Sequence, residues 1–240
     1  MANSYSALGR WFEYLNEDCD YEQWSQYLIK LLKASGAGPQ GLDIGCGNGY
    51  FTRALTRAGY FVTGIDISPE MLDTAQALAL KEGIKAEFLL GDITKLKVTG
   101  KKDFCVAIND CINYVPKDKL KTALKHVAGS LKKGGIFIFD ISSESKLRNE
   151  IGNNFFAEDR DDISYLWFNA LDGDCVTMDL TFFERQADGS YARFDERHVQ
   201  YIYEEDEVLS ALQETGFKAT AEGHLGKDKR ERITFICTRQ

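Results

Sequence analysis

The sequence predicts an α/β fold: a doubly wound, seven-stranded, mostly parallel sheet with a small antiparallel sheet inserted as a lid. Three observations predict it. From residue 40 to residue 141, short apolar segments alternate with helix-length amphipathic segments, the pattern of βαβ units. Longer segments with period-2 alternation follow, separated by Asp-Gly pairs rather than by helices. One further helical segment and two strand-like segments then close the chain.

Taken in order, residues 21–35 place Trp24, Tyr27, Leu28, Leu31 and Leu32 on one helical face. Asp20 serves as N-cap, and the Gly36, Gly38 and Pro39 cluster ends the helix. Residues 40–44 form the first strand, followed by a glycine-rich loop and a helix over 50–58. Residues 60–65 form the second strand, ending at Asp66. Ser68-Pro69 opens a helix that runs to about 82, with Ser as N-cap and Pro in the first turn. Strands over 86–90 and 104–108 follow, then a helix over 117–131 that stops at Gly134-Gly135. Residues 136–141 are apolar apart from Asp140, as in a strand buried on both faces.

Segments 163–168, 175–184 and 191–203 read as antiparallel strands, with Asp172-Gly173 and Asp188-Gly189 as hairpin turns. Residues 158–162, Glu-Asp-Arg-Asp-Asp, read as a solvated loop. Residues 205–215 form a helix whose acidic first turn suits the helix dipole, and strands over 217–222 and 232–238 complete the main sheet. The predicted divisions are a core over 1–145 with its N-terminal helices, an inserted lid over 146–203, and a C-terminal core portion over 204–240.

At 240 residues, with 44% hydrophobic residues, the chain can bury a sizeable core without staples. No apolar run reaches the roughly 18 residues of a membrane span, and residues 1–10 lack the layout of a secretory signal. The six cysteines form no C-x-x-C pair, and neither they nor the three histidines have zinc spacing. They read as reduced thiols of a cytoplasmic protein with no metal site. The net charge of −8 argues against a protein that coats nucleic acid.

The chemistry concentrates in residues 42–50, Leu-Asp-Ile-Gly-Cys-Gly-Asn-Gly-Tyr, directly after the first strand. Glycines there admit a ligand where a Cβ would clash, at the strand end where open α/β sheets bind ligands. Asp66 ends the second strand 21 residues beyond Gly45 and can accept hydrogen bonds from both hydroxyls of a ribose. Together they indicate an adenosine-type ligand. The dinucleotide pattern G-x-G-x-x-G requires glycine at position 50, where Tyr50 stands, and no G-K-[ST] follows for a P-loop.

The pattern G-x-G-x-G, with Asp43 two residues upstream, resembles the first motif of class I S-adenosylmethionine-dependent methyltransferases, which share a Rossmann-like fold. Residues 64–72 resemble that family's ribose-binding segment, 91–93 its adenine-binding segment, and 131–135 the turn before its fifth strand. Residues 21–24, 113–114, 162–167, 193–198 and 231–233 resemble a bacterial subgroup with a β-sheet insertion after the fifth strand. The resemblance implies S-adenosylmethionine as cofactor, held by Tyr5, Trp24, Asp43, Gly45, Cys46, Gly47, Asp66, Ile67, Met71, Asp92, Ile93 and Asn109. Tyr5 and Trp24 would border its methionine end. At positions 12 and 13 the subgroup usually has Tyr-Asp, whereas this chain has Phe12 and Glu13, so a hydroxyl is missing there.

Methyl transfer from a sulfonium is an in-line displacement in which positioning carries much of the rate. The loop after the fourth strand faces the methyl group in this fold. It offers Asp110 for substrate orientation or proton acceptance and Tyr114 as a second candidate; as alternatives, Asp110 caps a turn and Tyr114 packs in the core. On the insertion, Tyr191, Arg193 and His198 are the candidate substrate contacts. The acceptor is expected to be a small molecule. An RNA methyltransferase and a ribosome-associated, non-catalytic cofactor-binding module are the alternatives, with monomer and homodimer both open.

Overall fold

A computed structural model describes residues 11, 14, 15 and 20–240. Tyr5, Phe12, Glu13 and Cys19 lie outside the described residues. The elements, in chain order, are α1 (Tyr21–Ala34), β1 (Gln40–Ile44), α2 (Tyr50–Arg57), β2 (Phe61–Asp66), α3 (Pro69–Lys81), β3 (Glu87–Leu90), β4 (Lys102–Ala107), α4 (Leu120–Ser130), β5 (Leu131–Ser142), β6 (Phe155–Asp159), β7 (Ile163–Asp172), β8 (Cys175–Arg185), β9 (Tyr191–Tyr201), α5 (Glu205–Glu214), β10 (Phe217–Gly223) and β11 (Arg232–Arg239).

Among the described residues the strands form two sheets. The larger has the order β10-β11-β5-β4-β1-β2-β3. Strands β1 to β5 run parallel, and β11 is antiparallel to both β5 and β10. The order reverses direction between β1 and β4, so the carboxyl ends of these strands open into a crevice, the usual ligand position in such sheets. One core layer packs α4 and α5 against β5 and β11 through Leu124, Phe137, Phe139, Leu212 and Phe235. The other packs α1 and α2 against the opposite face through Leu28, Leu32, Leu55, Phe104 and Ile138. No helix among the described residues is long and apolar enough to cross a membrane.

The caps follow the sequence signals. The Asp20 side chain accepts from the Gln23 N–H at 2.9 Å, and Ser68 Oγ accepts from the Met71 N–H at 3.2 Å.

The second sheet is antiparallel, in the order β6-β7-β8-β9. Its strands pair Trp167 with Leu180 and Glu196, and Asn169 with Met178 and His198. Residues opposite one another in such ladders share a face. One face therefore carries Tyr165, Trp167, Met178, Leu180, Phe182 and His198. The other carries Asp179, Arg193, Asp195 and Arg197.

Three sequence expectations need correction. The helix expected over 117–131 is a short 3₁₀ turn, Lys117–Lys119, followed by α4, and β5 begins at Leu131 because Leu131 already pairs with Lys102. Residues 158 and 159 belong to β6, where Glu158 faces Tyr165 and Asp159 faces Ser164. Arg160 does not trail in solvent: its guanidinium donates to the Tyr14 carbonyl at 2.5 Å and lies 4.8 Å from the Tyr14 ring centroid. The sequence reading also gave no sign of the π-helical turn Lys146–Ile151 that links β5 to the second sheet.

Gly41 in β1 lies directly beneath the buried Phe104 ring, so a Cβ there would fall 2.1 Å from Phe104 Cζ. Gly41→Ala is expected to cost about 1–3 kcal/mol by overpacking, read as a lowered urea midpoint. Adding Phe104→Leu should return part of that loss, because the two changes share one contact.

Candidate active site

The glycine turn is built from the strand outward. Gly45 N–H and Cys46 N–H both donate to the Ile65 carbonyl, at 2.7 and 3.0 Å, which folds the turn over the end of β2. Gly45 has φ +70°, and a Cβ there would meet Cys111 Sγ at 2.5 Å; both facts demand glycine. Gly47 has φ +53°, with open space where a Cβ would stand, and it lines the crevice.

Asp66 ties this turn to the second strand. Its Oδ2 accepts from Gly47 N–H at 2.8 Å and its Oδ1 from Ser68 N–H at 2.9 Å. Burial pushes its carboxyl above the usual range, against the pull of these N–H groups. An ionised carboxylate has about four acceptor positions, so these N–H groups, with that of Ile67 also acting on the carboxylate, do not exhaust it. At the end of β3, Asp92 Oδ1 accepts from both the N–H and the hydroxyl of Thr94 at 2.7 Å. Between these two carboxylates a cavity of about 440 Å³ opens at the strand ends, and its apolar lining includes Ile67, Met71 and Ile93. Ile67 lies at the cavity's edge and is 64% exposed.

Of the twelve residues expected to hold the cofactor, Gly45, Cys46, Gly47, Asp66, Ile67, Met71, Asp92, Ile93 and Asn109 line this cavity. Tyr5 lies outside the described residues. Asp43 stands behind the turn instead: its buried carboxyl accepts from Thr52 Oγ1 at 2.6 Å, and burial pushes its pKa up to about 7. Trp24 also lies behind the wall. It is buried against Phe51 and His224, with the Arg232 guanidinium 4.8 Å from its ring centroid, while Tyr21 of the same helix reaches the cavity.

The loop after β4 is strained. Asn109 and Asp110 are consecutive non-glycine residues in the left-handed region, with φ +63° and +66°, a conformation that costs of order 1–3 kcal/mol per residue. The Asp140 carboxylate holds them there. Its Oδ2 accepts from Asn109 N–H at 2.9 Å and its Oδ1 from Asp110 N–H at 3.0 Å. Arg232 closes the arrangement by donating to Asp140 and, through both terminal nitrogens, to Asp110 at 2.6 and 3.0 Å.

This changes the reading of Asp110. Burial pushes its carboxyl up, but the Arg232 and Lys146 charges and the Arg232 hydrogen bonds outweigh burial and hold it below the ordinary value. A carboxylate so engaged is a weak proton acceptor. Its neighbour Asp140 shifts the other way: burial, reinforced by the Asp110 charge, raises it despite Arg232. Asp110, expected to orient the substrate or accept a proton, has both its oxygens engaged by Arg232 and so helps to fix the loop.

Tyr114 is brought to the junction of two cavities. Beside the first lies a second cavity of about 290 Å³, between the core and the inner face of the antiparallel sheet, and Asn109 and Tyr114 line both. The second cavity is walled by Tyr165, Trp167, Met178, Leu180 and Phe182 on one side and by Asp110, Ser142, Lys146 and Arg232 on the other. His198 joins this wall; it is buried beside Glu196, with Nε2 3.2 Å from Oε2, and its ring meets that of Tyr114 edge-on at 6.0 Å. Tyr191 and Arg193 do not join it. Tyr191 is 58% exposed, and Arg193 pairs with Asp195 on the outer face. Strand alternation is the reason: positions 191, 193 and 195 share one side, and 198 has opposite parity.

Sequence reasoning missed Asp140, Arg232 and Lys146 around the site, and gave Asn113, within the loop after the fourth strand, no role of its own. Asp140 did carry a signal, as the lone polar residue in an apolar strand. Asn113 is wholly buried; its Nδ2 donates to the Tyr201 carbonyl at 3.0 Å and its Oδ1 accepts from Ser142 N–H at 2.9 Å. It thereby joins the β4 loop to β5 and to the end of β9.

Three comparisons bear on this geometry. The family described as "Methyltransferase domain" matches residues 42–135. A protein of Geobacillus sp. named "Putative methyltransferase GWCH70_2453" is 30% identical, over 98% of this chain and 99% of its own length. The Bacillus subtilis protein "Putative methyltransferase YqeM" is 32% identical over 89% of this chain and 86% of its own. A crystal structure of an S-adenosylmethionine-dependent methyltransferase from Clostridium acetobutylicum superposes with a TM-score of 0.88 at 31% identity, covering 95% of this chain and 96% of that one.

Two outcomes are expected. Arg232→Met leaves two buried carboxylates without their cation and should destabilise the fold by about 3–5 kcal/mol, measured by urea unfolding near neutral pH. For Asp43, the folded pKa of about 7 lies above the ordinary value of 3.8. Its contribution to stability is therefore full below the unfolded pKa and is lost as pH rises through the folded one. Asp43→Asn cannot titrate, so between about pH 4 and pH 7 the ligand-free variant should gain stability relative to the native chain; pH-resolved unfolding checks this.

Proposed function

We propose that this chain, which belongs to the class I S-adenosylmethionine-dependent methyltransferases, transfers the methyl group to a small-molecule acceptor held between its two sheets. One observation carries the reading: Asn109 and Tyr114 line both the cavity at the strand ends and the cavity under the second sheet. A donor in the first and an acceptor in the second would face each other there. At about 290 Å³ the acceptor side lies at the small end of ligand cavities, which suits a small molecule better than a polymer.

The cofactor is S-adenosylmethionine, and the residues present fit it. In this reading Asp66 takes the ribose hydroxyls with its spare acceptor capacity. Asp92 and the Ile93 N–H frame the adenine, and Ile67 and Met71 cover its faces. The Gly45–Gly47 turn runs beside the methionine portion, with Cys46 between the two glycines. When bound, the cofactor would supply an activated methyl group for in-line transfer to the acceptor. The protein's contribution is then chiefly positioning. Tyr114 orients the acceptor, and the loop held by Asp140 and Arg232 fixes Asn109 along the cofactor. With Asp110 committed to Arg232, an acceptor that loses a proton passes it to solvent or to His198.

We extend the reading to domain organisation. Residues 1–145 and 204–240 form the catalytic core and 146–203 a cover over the acceptor, acting in a reducing cytoplasm that suits the five described free thiols.

Calorimetric titration with S-adenosylhomocysteine tests the cofactor assignment. The native chain should bind saturably. Asp66→Ala should lose roughly ten- to a hundredfold in affinity, the equivalent of about 1.5–3 kcal/mol for hydrogen bonds to a charged group. Circular dichroism should show the variant still folded. Unchanged affinity in a folded Asp66→Ala protein would remove Asp66 from the site.

A further inference from the structure

We infer that His198, oriented by Glu196, takes a proton from the acceptor, and that the acceptor therefore offers a hydroxyl. The inference rests on the reading of the second cavity as the acceptor site and names the chemistry of that site.

Of the three histidines, His198 is the one that lines a cavity of the candidate site. His224 lies behind the wall against Trp24, where burial, then the Arg232 and Lys227 charges, push it down to about 4. His126, on α4, lines neither cavity. The other titratable and charged groups around the second cavity come from four elements. Asp110 and Tyr114 stand on the loop after β4, Lys146 on the π-helical turn, Tyr165 on β7 and Arg232 on β11. Lys146 and Arg232 are cations with no lone pair to offer. Asp110 gives both oxygens to Arg232. An un-ionised phenol is a poor base, which leaves the imidazole, the side chain best suited to exchange a proton near neutral pH.

Strand parity puts Glu196 and His198 together on the inner face of β9, opposite Leu180 and Met178. The Glu196 side chain is wholly buried and that of His198 is 4% exposed, with Nε2 3.2 Å from Oε2. A carboxylate among apolar neighbours is costly unless a hydrogen-bonding partner meets it, and the ladder would pair through its backbone with apolar residues at both positions. With the ring proton on Nε2 and donated to Glu196, the tautomer and ring plane are set and Nδ1 is the basic nitrogen. The carboxylate also provides the counter-charge when the ring becomes an imidazolium. The ring meets that of Tyr114 edge-on at 6.0 Å, so it stands beside a residue that both cavities share.

In the proton transfer the acceptor's O–H bond breaks, its electron pair stays on oxygen, and the proton bonds to Nδ1. The imidazolium returns that proton to solvent once the product has left. A hydroxyl oxygen is weakly nucleophilic until its proton goes, so it gains from a base at this position. A free amine has its lone pair already and needs none.

The test uses para-nitrophenol, whose ionisation is visible as yellow absorbance, and para-nitroanisole, the same ring with no proton to give. Each is titrated into the full-length protein loaded with S-adenosylhomocysteine, at a pH where free nitrophenol is mostly un-ionised. Isotopically labelled methionine methyl groups report the location by NMR, because Met71 lines the first cavity and Met178 the second. Nitrophenol should shift the Met178 signal, and its bound form should be about tenfold more ionised than the free probe, a displacement of one pKa unit. The His198 imidazole nitrogen signals should move together to their protonated positions. Nitroanisole should shift Met178 and leave the imidazole unprotonated. His198→Gln should bind nitrophenol un-ionised, and Glu196→Gln should lower its ionisation several-fold. Both variants should stay folded by circular dichroism and keep the native affinity for S-adenosylhomocysteine. Where a variant does not fold, the imidazole signals of the native chain decide. Nitrophenol that shifts Met178 yet stays un-ionised, or that ionises equally in folded His198→Gln or Glu196→Gln, would overturn the inference. Nitrophenol that leaves Met178 unmoved, or a chain that does not bind S-adenosylhomocysteine, would instead overturn the reading on which it rests.

Discussion

The carboxylate of Asp140 is the interaction on which the rest of the site depends. It sits on β5, wholly buried, where its neighbours are apolar. It accepts two successive N–H groups from a turn that two non-glycine residues would otherwise avoid, and it shares Arg232 with Asp110. Burying three charges costs several kcal/mol per ion before their attraction repays it. The cluster is better understood as conformational than as a source of stability: apolar substitutes would leave both N–H groups without an acceptor. Through it, β4, β5 and β11 jointly set where Asn109 and Tyr114 stand.

The antiparallel sheet is held to this frame by a short list of contacts. Asn113 reaches the end of β9. The Tyr203 hydroxyl donates to the Val115 carbonyl at 2.5 Å. Asp174, in the β7–β8 turn, accepts from both Lys117 and Arg148. The last two ion pairs are partly exposed and contribute little individually. The buried amide and phenol fix the register of the sheet against the core, so the cavity between them has a defined width.

Several buried titratable groups gather around the two cavities. Asp43, Asp66, Asp140, Asn113, Glu196 and His198 are all buried there, while other buried polar side chains, Arg53 and Thr215 among them, lie in the helices or at their ends. Asp43 illustrates the conflict: a carboxyl in a site that favours its neutral form, retained behind a glycine turn. Local rules that would improve stability are broken here, as expected at a functional site.

The alternation of strands and helices, the glycine turn and the strand-end acids were legible in the sequence, because each depends on near neighbours: periodicity, capping and a backbone that tolerates no Cβ. So was the antiparallel character of residues 163–201, from its parity and its Asp-Gly turns. What the sequence could not decide depends on residues far apart in the chain. Asp110 looks like a free acid beside the methyl position until Arg232, 122 residues later, takes both its oxygens. Tyr191, Arg193 and His198 look like one set until the pairing of β8 with β9 puts the first two outside and the third within. β6 lacked a sequence signal because acidic residues crowd it, and it forms only against β7. Contiguous segments determined the fold class and an adenosine-type ligand, and through their resemblance to a known family the cofactor. The acceptor wall was decided by tertiary structure, which alone brings Lys146, Trp167 and His198 to one cavity.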